Sequence, residues 1–132
     1  MRRFEHRFAA GPDAVWGALA AALPAVTSRA AFRTSARKVE WSTDTGGWSF
    51  PQDLAVTVEP QADATAALTL AGGSRYRASF GDRGRRKAVF AALVAGVDDA
   101  LAHPLVAHPA APTDDRFLWW TGTEWSYEPT ES

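Results

Sequence analysis

Leu54-Ala55-Val56-Thr57-Val58-Glu59-Pro60, followed after a short link by Ala66-Ala67-Leu68-Thr69-Leu70, is the stretch whose reading decides the fold. Leu54, Val56 and Val58 fall on one side of a period-two pattern, as do Ala66, Leu68 and Leu70, and Pro60 ends the first run. Such alternation predicts strands with one buried and one open face. The pattern returns at residues 2–8, with Phe4, His6 and Phe8 on one side and Arg3, Glu5 and Arg7 on the other, and again from Arg37 to Trp41. Gly72-Gly73 separates the Leu70 run from Tyr76, Ala78 and Phe80, and reads as a tight hairpin, because both turn positions can require positive φ. His6, on the apolar side of its strand, is expected to be a core histidine satisfied by a hydrogen bond.

Two segments carry helical spacing instead. Gly11-Pro12-Asp13 opens one, with Pro in the first turn and Asp13 at the positive end. Val15, Trp16, Leu19 and Leu23 follow, and Pro24 stops it. Asp82 caps a longer helix through about Leu101, with Val89, Phe90, Leu93, Val94, Val97 and Leu101 facing inward. Residues 25–34 fit neither period, and Asp44-Thr45-Gly46-Gly47 marks a turn before a loop closed by Pro51. The expected fold class is therefore α+β: an antiparallel sheet in the order β-α-β-β-β-β-α, both helices on one face. Residues 1–102 form this domain. Residues 103–132 form a Pro-containing linker and a Trp-rich acidic tail, in which Phe117 to Trp120 and Trp125 to Tyr127 can pair as a hairpin.

This element order resembles the TATA-box-binding-protein-like fold, the core also seen in helix-grip proteins such as the birch-pollen allergen and lipid-transfer START families. Trp48-Ser49-Phe50 before the Leu54 strand, with Asp82-Arg83-Gly84-Arg85-Arg86 opening the last helix, also resembles small bacterial proteins of this type. In the tail, Trp120-Thr121-Gly122-Thr123-Glu124-Trp125 resembles a short Trp-rich bacterial segment, with Thr121 where that segment usually has Asp. None of these resemblances implies an activity. The helix-grip likeness implies a small-ligand pocket under the last helix, near Trp16, Phe90 and Val94, as the alternative reading of function.

Composition narrows the classes further. The chain has 132 residues and no cysteine, which excludes disulfides, zinc–cysteine sites and thiol catalysis. No stretch has the length or apolarity of a signal peptide or a membrane span, so a cytoplasmic location is expected. Twenty-seven alanines and twelve arginines against two lysines point to a GC-rich, bacterial genome, and caution against reading each Arg as functional. Residues 1–97 carry a net charge of +5 and residues 98–132 a net charge of −6, so the tail is suited to dock on the body.

Nucleophile-elbow, Walker, dinucleotide and zincin patterns are absent, so neither an enzyme nor a cofactor is indicated. Asp98 and Asp99 point about 100° apart on a helix and do not converge as an acid/base pair. His103 and His108 lack a third metal ligand nearby. The outward sheet face mixes Arg7, Lys38, Arg75 and Arg77 with Glu5, Glu40 and Glu59, among Thr57, Thr65 and Thr69. That mixture argues against nucleic acid, which wants a field of one sign. Two surfaces remain. Arg83, Arg85, Arg86 and Lys87 crowd cations at a helix start, where free N–H groups favour an anion. Trp119, Trp120, Trp125 and Tyr127 are residue types that anchor protein interfaces; the hairpin is expected to pack on its own domain, on a second copy or on a protein partner, the last being the functional reading. The expected function is a non-enzymatic binding or protein-interaction module.

Overall fold

The computed structural model describes residues 4–27, 29–42, 52–74, 80–103, 116–120 and 125–126. Among these residues, seven antiparallel strands and two α-helices follow one another as β1 (Phe4–Phe8), α1 (Pro12–Ala22), β2 (Arg29–Arg33), β3 (Lys38–Ser42), β4 (Gln52–Pro60), β5 (Ala66–Ser74), α2 (Phe80–Ala102), β6 (Arg116–Trp120) and β7 (Trp125–Ser126). The sheet order is β1-β5-β4-β3-β2-β6-β7.

The sheet's register explains the core. Phe4 pairs with Leu70, Leu70 with Val56, Val56 with Val39 and Val39 with Phe32, which makes one continuous apolar row across five strands. Leu70, Val56, Val39 and Phe32 are fully buried, in one cluster with Val15, Trp16 and Leu19 of α1 and Phe90, Leu93 and Val97 of α2. Each such side chain contributes roughly 1.5–3 kcal/mol on burial. Trp16 meets Phe32 edge-on with ring centroids 5.5 Å apart, and Phe90 stacks on Phe4 at 5.7 Å. Both helices thus lie side by side on one face, packed against each other as well as the sheet. A Cβ on Gly96 of α2 would lie 2.7 Å from the Cβ of Ala22, so the two backbones meet closely there.

α1 begins where the sequence predicts, with Gly11 extended before Pro12 and Asp13 in the first turn; a single 3-10 turn, Leu23–Ala25, closes it. The β4–β5 hairpin turns at Gln61–Thr65: the Gln61 N–H donates to the Thr65 carbonyl at 2.8 Å, and the Ala64 N–H to that of Gln61 at 3.1 Å. Ala64 has φ 67°, a left-handed conformation that glycine or asparagine usually supplies at this place in a hairpin.

Three expectations are corrected. Gly72-Gly73 is not a hairpin: both lie inside β5, paired with Leu54 and Asp53 of β4. Glycine is needed at position 72 because the Leu54 side chain fills the space; a Cβ would lie 2.5 Å from its Cδ2 and 2.6 Å from the Asp53 carbonyl oxygen. Phe80 opens α2 rather than ending a strand, while Tyr76 and Ala78 lie outside the described residues. The remaining strand of the predicted order is Arg29–Arg33, within the stretch that fits neither period. His6 is exposed, because β1 is the outer strand of the sheet; its ring packs edge-on against Phe8 at 4.7 Å. The 44–47 turn, and Trp48 and Phe50, lie outside the described residues.

Candidate functional site

The Trp-rich segment is part of the sheet. β6 pairs antiparallel with β2, with Arg29 opposite Trp119, Ala30 opposite Leu118 and Ala31 opposite Phe117. β7 pairs with β6, Trp120 opposite Trp125 and Trp119 opposite Ser126. The two runs expected to pair do so at Trp119–Trp120 and Trp125–Ser126, and β6 lies beside β2. The side chains of Trp119, Trp120 and Trp125, and all of Tyr127, lie outside the described residues.

The cations of α2 are placed differently from the sequence reading. The helix begins at Phe80, so within it the unpaired N–H groups belong to residues 80–82. Arg83 ends the first turn, its side chain outside the described residues, while Arg85, Arg86 and Lys87 follow in the next. Arg85 and Lys87 are exposed and Arg86 is half-buried. The macrodipole falls off within one turn, so Arg85, Arg86 and Lys87 oppose it less than cations in the first turn would.

At the far end of α2, Asp98 and Asp99 are exposed. His103 folds back on the helix: its N–H donates to the Asp99 carbonyl at 3.1 Å, and its Nδ1 lies 3.0 Å from that oxygen and 3.3 Å from Asp99 Oδ1. His108 lies outside the described residues. Among the described residues no three His, Asp or Glu side chains gather into a metal-sized cluster, and no helix is long and apolar enough to cross a membrane.

The sheet face opposite the helices is polar and mixed in sign, as expected. One row runs Glu5, Thr69, Thr57, Lys38, Arg33 across five strands. Glu40 lies 3.4 Å from Arg33 Nε and 3.3 Å from Lys38 Nζ, so one carboxylate is shared by two cations at this corner. Ser42 Oγ donates to Asp53 Oδ1 at 2.6 Å. Thr69, although on this face, is buried, with its hydroxyl 3.5 Å from both the Thr57 carbonyl and Glu59 Oε2. Arg75 and Arg77 lie outside the described residues.

Two anchoring features escaped sequence reading. Arg37, with φ 47°, donates from Nη2 to Asp13 Oδ1 at 2.7 Å and ties the β2–β3 link to the start of α1. Asp63 accepts from both the N–H and the hydroxyl of Thr65, an Asp-x-Thr signal that was available in the sequence. Those bonds, the hydroxyl first, hold the Asp63 carboxyl below its usual range.

Comparison with protein-family models, curated proteins and solved structures finds no match to this chain.

Proposed function

We propose that the chain is a non-enzymatic protein-interaction module with a TATA-binding-protein-like core, docking a partner through its Trp-rich terminal strands. The observation that carries this reading is the addition of β6 to β2, with β7 beyond it. Trp119, Trp120 and Trp125 thus belong to paired strands at one border of the described sheet. Large aromatic side chains held on a strand bury 150–250 Å² each at little entropic cost, which is what interface anchors require. A strand at a border also offers main-chain groups to an extended partner segment.

The small-ligand reading has less support. The rings expected to line a pocket, Trp16 and Phe90, are buried and engaged with Phe32 and Phe4 of the sheet. Nucleic acid is disfavoured by the Glu40 ion pairs with Arg33 and Lys38 on the open face.

The test compares the full chain with Trp119→Ser and Trp125→Ser variants as immobilised baits, with melting temperature as a folding control. The reading expects a partner retained by the full chain and lost from variants that still melt near the parent temperature. Retention indifferent to both substitutions would contradict it.

A further inference from the structure

At the opposite border of the sheet from the tryptophan-bearing strands, β1 pairs, among the described residues, with β5 on one side only. Glu5, His6 and Arg7 are all exposed, while Phe4 and Phe8 turn toward the helices. Open strand edges are normally protected by charge, because a run of unpaired N–H and C=O groups is a template for another strand. Like charges on such an edge repel a second copy. The charges here are opposite, two residues apart, and symmetric about His6.

We propose that β1 is a self-pairing edge, on which a second copy of this chain docks antiparallel with His6 opposite His6. In that register Glu5 of each copy stands opposite Arg7 of the other, so the two-fold arrangement makes two cross-strand ion pairs. Phe4 of each copy stands opposite Phe8 of the other on the helix side. Directly opposite residues in an antiparallel pair approach to about 4.5–5.5 Å, close enough for these contacts. The two sheets join into one, with both helix layers on the same side.

Charge excludes the competing registers. A shift by two residues in one direction puts Glu5 opposite Glu5, and in the other direction Arg7 opposite Arg7. A shift by one exchanges the faces, setting Phe4 and Phe8 against charged neighbours. Parallel pairing in step again sets like against like. Within its own chain Arg7 is attracted by Asp63 of the β4–β5 hairpin, and both groups are solvent-exposed. That attraction leaves Arg7 available.

This association is independent of the Trp-rich border, and the experiment separates the two. Molar mass is measured by light scattering or sedimentation across a concentration series, for the full chain and for Glu5→Arg, Arg7→Glu and the double exchange. The full chain is expected to rise from one to two chain masses as concentration increases. Each single variant, carrying only like charges on the edge, is expected to remain at one mass. The double exchange is expected to recover the rise, and so is an equimolar mixture of the two single variants, whose edges complement each other. Because the two sites are exposed, unchanged circular dichroism and melting temperature serve as the folding control. A full chain that stays monomeric throughout would overturn the proposal. So would single variants that associate as well as the parent, a mixture that fails to recover, or a dimer lost on Trp119→Ser but kept in Arg7→Glu.

Discussion

Asp63 is an acidic residue in a hairpin loop whose chemistry is decided by one neighbour. It accepts the N–H and the hydroxyl of Thr65, and its carboxyl is held below the usual range, chiefly by the hydroxyl. A folded-state pKa below the unfolded value means that the ionised form favours the fold. This contribution is therefore complete above the ordinary aspartate range and is lost as pH falls through the lowered folded value. Replacing Thr65 by Val removes the hydroxyl but keeps the backbone donor. The Asp63 carboxyl, followed by its carbon chemical shift, is expected to titrate at higher pH in T65V than in the parent. The stability gap between the two proteins should narrow as the solution is acidified through that range. An unchanged Asp63 titration would show that the hydroxyl bond is not what holds it.

At the scale of elements, the glycines of α2 separate helix propensity from packing. Gly84 has nothing within 4 Å of where a Cβ would be, whereas Gly96 would set one 2.7 Å from Ala22 Cβ. Gly84→Ala should raise stability by up to ~1 kcal/mol through helix propensity alone. Gly96→Ala gains the same propensity but forces α1 and α2 apart, at a cost of roughly 1–3 kcal/mol for overpacking, so the net effect is neutral to destabilising. Denaturant melts of the two variants check this; equal stabilisation by both would contradict the close helix crossing. The same steric logic explains what was legible in the sequence. β4 and the first half of β5 alternate cleanly because Leu54, Val56, Val58, Leu68 and Leu70 all face the helices. Gly72-Gly73 misleads because glycine serves a turn and a crowded strand equally well, and only the Leu54 side chain opposite distinguishes them. β2 was illegible because Arg29-Ala30-Ala31-Phe32-Arg33 has alanine on both faces and no β-branched residue to mark it. His6 was misplaced since alternation tells which face a residue takes, not whether its strand ends the sheet.

For the whole molecule, the account rests on the Trp-rich end being the continuation of the sheet. The hairpin itself was readable from the Phe117–Trp120 and Trp125–Tyr127 runs, but its seat was not, since nothing in those residues names β2. The charge contrast, +5 over residues 1–97 and −6 over residues 98–132, favours return of the tail to the body, and β6 meets a strand that begins and ends in arginine. An isolated two-stranded hairpin is marginal in water, so β6 and β7 owe their order to β2. Amide hydrogen exchange, read segment by segment in the full chain and in a chain ending at His103, tests this most directly. Residues 116–120 and 29–33 are expected to be protected together in the full chain, and residues 29–33 to exchange faster once the tail is removed. Unprotected exchange across 116–120, with residues 29–33 indifferent to truncation, would contradict it.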